Sequence, residues 1–357
     1  MSNFRLDPYN YLSYLSLTKY SMLTDIVNTY YVGSDSDYID LYVDLTSFIN
    51  ILTTNNAELD KKDELYIAAW VINLCAHYKR FFKTRYGVTA TIFLIYRDLN
   101  DNGAEYRRVI CPEYTRSITD ARYSNTVVLN INMLKDIVQY IPNVELVRTR
   151  YEFGLKALFI KATRDNIPSM IISEDIINTQ LAVKNNKADV CILYPKKNKQ
   201  CDTSYLITQD NAIYNFINKY KRCQVTPLFT QNAHYYIPVM MAMTGYSKRG
   251  FKSIYNITEC VNGINTLISN GMIRDGDPTT IDRFLALISS IYPKKVPYNK
   301  HIIDRFMCLN FSFQYSFFND STDIDPYIGP VYLHNPQAIY EVNDKVFKNY
   351  ELDVLNL

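Results

Sequence analysis

The sequence is poor in the residues that build the commoner metal and disulfide sites. Of its 357 residues only four are histidines, and they form no HxxxH or HxH pair. Seven are cysteines, an odd number without any CxxC pair, which predicts reduced thiols in a cytosol rather than a disulfide framework or a cysteine zinc site. A metal site would therefore consist mainly of carboxylates, which suits hard ions such as Mg²⁺ or Mn²⁺.

Other absences exclude further classes of protein. No GxxxxGK[ST], GxGxxG or GxSxG motif occurs, which argues against a phosphate-loop, dinucleotide-binding or α/β-hydrolase site. No apolar run reaches the roughly 18 residues of a transmembrane helix, so we expect no membrane partner. The first residues include Asp7, Pro8 and Asn10 and lack the apolar stretch of a secretory signal, which predicts a cytoplasmic protein.

What the sequence has is a balanced charge and abundant tyrosine. Lys plus Arg number 38 and Asp plus Glu number 36, which excludes a histone-like polycation but leaves a local basic groove open. There are 32 Tyr and 17 Phe but a single Trp. Coding bias of an AT-rich genome and a tyrosine-lined path for single-stranded nucleic acid both explain this composition. The length predicts one large domain or two ordinary ones.

Apolar, β-branched runs alternate with segments of helical period. Strands are predicted at 38–44, 88–96, 169–173 and 189–194, with a further strand at 126–131 or around 144–148. Helices are predicted at 45–54, 63–86, 151–165, 175–184, 211–221, 235–245, 257–270 and 279–291. This alternation predicts an α/β fold with a largely parallel sheet flanked by helices, followed by a mostly helical region.

Composition suggests where the parts of the chain meet. The polar run 195–200 predicts a boundary near 195–205, and residues from about 294 are rich in aromatics and proline. The predicted organisation is a lead-in at 1–38, an α/β domain at 39–200, a helical region at 201–293 and an aromatic-rich C-terminal extension at 294–357.

Four acidic residues fall where predicted strands end or helices begin. Asp44 ends the first strand, Asp98 follows the second, Glu152 opens a helix, and Asp175 follows the strand at 169–173. The carboxyl ends of parallel strands share one edge, so we expect these side chains to converge. Converging carboxylates repel one another unless a cation lies between them, which predicts a divalent metal that activates water or clamps a phosphodiester. Taken singly, each acid has a common alternative role as a turn former or helix cap.

Several segments, in order, resemble the flap endonuclease and 5′–3′ exonuclease family. They are residues 42–44, 92–98, 105–107, 112–116, 151–155, 172–181 and 243–252, so the resemblance covers about 40–270. It implies a PIN-like nuclease fold with a helix–turn–helix-like DNA-binding motif. It also implies a metal-dependent enzyme that cuts 5′ ends or flaps of DNA. Asp44, Asp98, Glu152 and Asp175 would be its catalytic residues and its ligands for Mg²⁺ or Mn²⁺.

The sequence departs from the family pattern at the acids of a second metal. Where the family has acids, this chain has Gly154, Leu155, Ile177, Tyr246 and Arg249. Since two metals stabilise both the attacking and the leaving oxygen, the loss of one predicts weak, one-metal or absent hydrolysis. Asp101, Glu145, Glu174 and Asp189 are possible substitutes, with Glu174 the best placed beside Asp175 and Asp189 at the start of a strand.

Basic residues predict contacts to the phosphates of branched, 5′-ended or duplex DNA. The predicted DNA-binding residues are Arg107, Arg116, Lys248, Arg249 and Lys252. Gly250, between Arg249 and Lys252 in the sequence, permits close backbone approach to a phosphate. A solvated loop is the alternative for such clusters.

Two functions remain open at this point. One is a metal-dependent nuclease. The other is a catalytically inactive relative, a pseudoenzyme that serves as a DNA-binding or structural component, plausibly of a virus or phage virion or its packaging. In that case the location is a host cytoplasm or virion, and the aromatic C-terminal extension is a surface for assembly or simply core.

Overall fold

A computed structural model describes eleven ranges of the chain: residues 36–47, 66–97, 103–115, 131–132, 134–135, 138, 141–149, 152–184, 188–197, 202–276 and 279–319. Within them, six strands form one sheet in the order β3-β2-β1-β4-β5-β6. The strands are β1 (Tyr38–Asp44), β2 (Thr89–Arg97), β3 (Val144–Thr149), β4 (Ser169–Ile172), β5 (Val190–Lys197) and β6 (Asp202–Ile207). All neighbours pair in parallel except β6, which is antiparallel to β5.

Helices flank the sheet and continue after it. They are α1 (Tyr66–Tyr86), α2 (Gly103–Ile110), α3 (Phe153–Thr163), α4 (Gln209–Tyr214), α5 (Ala233–Thr244), α6 (Ile257–Ser269), α7 (Ile281–Ile291), α8 (Asn299–Leu309) and α9 (Phe311–Asn319). Short 3-10 turns cover Ile176–Leu181, Ser247–Arg249 and Pro293–Tyr298, and a π-helical turn, Asn215–Tyr220, extends α4.

The central strands are apolar along nearly their whole length because they are covered on both faces. β1 lies between β2 and β4, with Asp40 in register with Thr91 on one side and Ser169 on the other. Eight of the nine residues of β2 are buried. Parallel strands buried in this way read as continuous apolar runs rather than alternating ones, which is why the sequence predicted them well.

The strand order creates a switch point beside β1. The chain moves outward from β1 through β2 to β3, and then returns to pair β4 with the other side of β1. The carboxyl ends of β1 and β4 therefore lie next to each other at the position where open α/β sheets bind ligands. Asp44 ends β1, and residues 173–175 follow β4 at this edge.

The predicted α/β class, with a mostly parallel sheet flanked by helices, is confirmed. Of the two alternatives for a further strand, residues 144–149 form β3; of 126–131 only residue 131 is described, and it is helical. Of the helix predicted at 45–54, residues 45–47 are helical and the rest lies outside the described residues.

Strand β6 was not predicted. Its residues follow the polar run that suggested a boundary. Lys196 and Lys197 of that run end β5, which pairs antiparallel with β6. One buried cluster joins regions that the sequence divided, since it contains Phe93 of β2, Tyr236 of α5 and Phe311 of α9. In the described ranges, no helix has both the length and the apolar character to cross a membrane.

Candidate functional site at the carboxyl edge of the sheet

Asp44 is buried at the end of β1, and hydroxyl and amide donors surround it. Ser47 donates its backbone N–H to Oδ1 at 3.1 Å and its hydroxyl to Oδ2. Ser173, directly after β4, donates its hydroxyl to Oδ2 at 2.8 Å. Asp44 therefore caps the turn after β1 and ties it to the end of β4.

Glu152 is buried immediately before α3 and is surrounded by cations. Its Oε2 accepts hydrogen bonds from Arg97 Nη2 and, at 2.9 Å, from Arg249 Nη2. Its Oε1 accepts the Tyr114 hydroxyl at 3.0 Å and lies 3.3 Å from Arg107 Nη1. Three guanidinium groups thus converge on a single carboxylate. This is the densest group of charges among the described residues at the edge.

Asp175 follows β4 and caps the 3-10 turn Ile176–Leu181. Its Oδ1 accepts the Ile177 N–H at 3.3 Å and the Tyr246 hydroxyl in a short hydrogen bond. Arg249 Nη2 lies 3.5 Å from Oδ2, and Lys248 Nζ lies 4.0 Å from Oδ1. Asp175 is therefore also paired with cations of the protein.

Two side chains join the three carboxylates into one site. Arg249 contacts both Glu152 and Asp175. Ser173 Oγ, which donates to Asp44, accepts the backbone N–H of Asp175 at 3.1 Å. Three of the four acids predicted as catalytic residues and metal ligands thus lie together at the carboxyl edge, and Asp98 lies outside the described residues.

The pKa values of the three carboxyl groups are shifted in different directions. Burial raises the pKa of Asp44, and the nearby negative charge of Asp175 adds to that rise. Burial alone would also raise the pKa of Glu152, but Arg249, Arg97 and Arg107 outweigh it and hold that pKa far below its usual range. The pKa of Asp175 is lowered because Lys248, Arg249 and the Tyr246 hydrogen bond outweigh its burial. Glu152 and Asp175 are therefore anions in the folded protein.

The described carboxylates do not fit a divalent metal ion. Each carboxylate oxygen of Asp44, Glu152 and Asp175 already faces a donor of the protein, and a cation beside Glu152 would meet three guanidiniums. Within the described ranges, no group of three or more His, Cys, Asp or Glu side chains is arranged to hold a metal.

Of the acids predicted as substitute metal ligands, only Glu174 lies at the carboxyl edge among the described residues. Asp101 lies outside the described residues. Glu145 is buried in β3 opposite Phe93, before the carboxyl end, and Asp189 precedes β5 at the amino end of the sheet. Glu174 is half-buried beside Asp175.

The basic residues predicted to bind DNA separate into buried and exposed groups. Arg107 and Arg249 are buried against Glu152, whereas the Lys248 side chain is 48% exposed and Lys252 is exposed. Arg116 lies outside the described residues.

Gly250 has a specific reason for its lack of a side chain. It has φ of +78°, and a Cβ there would lie 2.3 Å from Thr115 Oγ1. The Thr115 N–H donates to the carbonyl of Arg249 at 3.1 Å. The close approach that the sequence suggested for a phosphate is made here by Thr115.

Sequence reasoning did not select Arg97, Tyr114, Tyr246 or Ser173 as site residues. A usable signal was present for one of them, since Tyr246 stands where the resemblance expects an acid, and its hydroxyl binds Asp175. Tyr114 and Arg97 lie in segments that carried the resemblance, but nothing in their spacing indicated a contact with Glu152.

No family model matches the chain, and no curated protein matches it significantly.

Proposed function

We propose that this protein is a catalytically inactive, nuclease-like protein that binds nucleic acid without a metal ion. The observation that carries the proposal is the environment of Glu152, whose two oxygens face Arg97, Arg107, Arg249 and Tyr114. In a metal-dependent nuclease, carboxylates at this edge would be available to an ion. Here arginines of the same chain neutralise Glu152 and Asp175.

The energetics of a buried ion pair support this reading. Removing one partner of a buried pair costs about 3–5 kcal/mol because the remaining charge is left uncompensated. A metal ion that took Glu152 from its arginines would strand those guanidiniums in a desolvated position. The lowered pKa of Glu152 also makes it a poor general base, since it holds a proton only weakly.

The exposed lysines beside the site suit phosphate binding. Lys248 and Lys252 follow Gly245 in one loop, and the buried carboxylates around Arg249 anchor that loop to the sheet. Lysine contacts to phosphates give affinity that depends on salt and carries little sequence information. Branched, 5′-ended and duplex DNA, the partners predicted from sequence, all present such phosphates.

The test is binding of fluorescent 5′-flap and duplex DNA, measured by anisotropy in EDTA and in Mn²⁺. Wild-type protein is expected to bind equally in both, with affinity that falls as salt rises. The double variant Lys248→Ala/Lys252→Ala should lower the salt slope by about 2, roughly one per lost phosphate contact. The matched control is Arg80→Ala/Lys83→Ala, which removes two exposed charges from α1 and should leave binding unchanged.

Two outcomes reject the proposal. Cleavage of the flap in Mn²⁺ that is lost in Asp44→Ala identifies an active nuclease, the other function that the sequence left open. Absence of DNA binding together with a stable protein assembly identifies a structural component instead.

A further inference from the structure

Arg107 has an unused hydrogen-bond donor although it is one of the most buried side chains. Only 1% of its surface is exposed. Its Nη2 donates to Gln314 Oε1 at 3.1 Å, and its Nη1 makes the ion-pair contact with Glu152. Within the described residues, neither Nε nor Nη1 has a hydrogen-bond partner, and Nη1 has only its ion-pair contact with Glu152, 3.3 Å away. A buried donor without an acceptor is costly, so such a group calls for an explanation.

The position of the unused donor is informative. In a planar guanidinium, the Nε–H and one Nη2–H point the same way and form a fork that matches two oxygens of one anion. Gln314 offers a single amide oxygen to this fork and fills only its Nη2 half. A phosphate group would fill both halves.

Gln314 belongs to a helix that is only partly buried. Gln314 is fully buried and donates its Nε2 to the carbonyl of Cys308 at 2.9 Å. Elsewhere on α9, Phe311 is buried, whereas Ser312, Phe313 and Ser316 are exposed. α9 is short, and its displacement costs mainly the burial of Phe311, Gln314 and the half-buried Tyr315.

We propose that the Nε/Nη2 fork of Arg107 is a binding site for a phosphate group, and that Gln314 covers it until the phosphate displaces α9. This inference rests on the proposed function, because the nucleic acid would supply the phosphate. The surroundings favour an anion, since three guanidiniums, those of Arg97, Arg107 and Arg249, face two carboxylates, Glu152 and Asp175. The helix then acts as a cover that the ligand opens.

Variants of Gln314 separate this site from general effects of charge. Gln314→Ala uncovers the fork. Gln314→Glu fills the fork with a carboxylate of the same shape, although it loses the bond to Cys308. Ser312→Glu adds the same charge on the exposed face of the same helix and serves as the control. Gln314→Met replaces the alanine variant if that protein does not fold.

The readout is the melting temperature in inorganic phosphate, compared with chloride at equal ionic strength. At phosphate about tenfold above its dissociation constant, Gln314→Ala should gain about 2–4 °C. Gln314→Glu should not respond, and Ser312→Glu should respond like wild type. Phenylglyoxal should modify Arg107 in Gln314→Ala, and phosphate should protect it.

An equal phosphate response in all four proteins, or none in any of them, overturns the proposal. DNA binding by wild type without a phosphate response in Gln314→Ala rejects this site and leaves the proposed function standing. A phosphate response without DNA binding supports this site and rejects the proposed function. Oligonucleotides with a 5′-phosphate or a 5′-hydroxyl identify the source: tighter binding of the first by Gln314→Ala assigns a terminal phosphate, and an equal gain on both assigns the phosphodiester backbone.

Discussion

Arg249 donates its Nη2 to Glu152 at 2.9 Å across 97 residues of sequence. The same nitrogen lies 3.5 Å from Asp175. Arg249 stands where the resemblance to flap endonucleases expects an acid, so a residue that removes one potential metal ligand also neutralises two others. Glu152 and Asp175 are therefore both paired with cations of the chain itself.

Glu152→Gln should strongly destabilise the protein. The substitution keeps the shape of the side chain but removes the charge that Arg97, Arg107 and Arg249 share. Breaking a buried pair of this kind costs about 3–5 kcal/mol. Urea denaturation measures the loss. Asp282→Asn, an exposed acid in the first turn of α7, is the control and should change stability by less than about 1 kcal/mol. Equal losses in the two variants would contradict the ion-pair account.

The difference in stability between wild type and Glu152→Gln should depend on pH. The folded pKa of Glu152 is lowered, so its contribution is fully present above the unfolded value of about 4.3 and is lost as pH falls through the folded pKa. The stability difference should therefore shrink progressively as pH falls below about 4.3, while protonation of Asp175 lowers the stability of both proteins over the same acidic range. Denaturation curves from neutral to acidic pH test this, and a constant difference rejects it.

Asp44→Asn should cost little stability at neutral pH, in contrast to Glu152→Gln. The folded pKa of Asp44 is raised by burial, so ionisation of Asp44 costs stability as pH rises between its unfolded and folded values. Removing this charge should leave stability within about 1 kcal/mol of wild type at neutral pH, because relief of the buried charge offsets a weakened contact with Ser173, whose Oγ already accepts the Asp175 N–H and the Asn178 amide. A loss as large as that of Glu152→Gln would show that Asp44 carries a paired charge.

The sequence predicted the sheet better than it predicted the chemistry of its edge. Runs such as 89–97 are continuous and apolar because both faces of the strand are buried, and that pattern is visible locally. The placement of Asp44, Glu152 and Asp175 at one edge followed from the parallel order of strands.

The cations around these acids could not be predicted in the same way. Arg97 and Arg249 are separated from Glu152 by 55 and 97 residues, and only tertiary packing brings them together. The same holds for Gln314, which reaches Arg107 from 207 residues away. Strand β6 was missed for a local reason: the lysine-rich end of β5 has the composition of a linker.

Gly154→Ala should destabilise the protein through a contact with the C-terminal helix. A Cβ at this position would lie 2.2 Å from the Phe311 ring and 2.4 Å from Asn178 Oδ1. Overpacking of this kind costs about 1–3 kcal/mol. Phe311→Ala should lose about 3–5 kcal/mol by itself, but the double variant should lose less than the sum because the smaller side chain removes one clash. A double-mutant cycle in urea measures the coupling, and strict additivity would show that α9 does not press on the start of α3.

Removal of divalent ions should leave the wild-type protein unchanged. A ligand that binds the folded state raises the melting temperature, so EDTA and millimolar Mn²⁺ should give the same value if guanidiniums already hold the place of a cation. Arg249→Ala is the matched variant: it should melt lower because Glu152 and Asp175 lose a shared partner, and Mn²⁺ should recover part of that loss by neutralising them. A rise of several degrees in wild type with Mn²⁺, abolished by Asp44→Asn, would instead place an ion at this edge and favour a metal-dependent nuclease over the inactive protein. If Arg249 is the counterion of Glu152 and Asp175, Mn²⁺ should raise the melting temperature only of the Arg249→Ala variant.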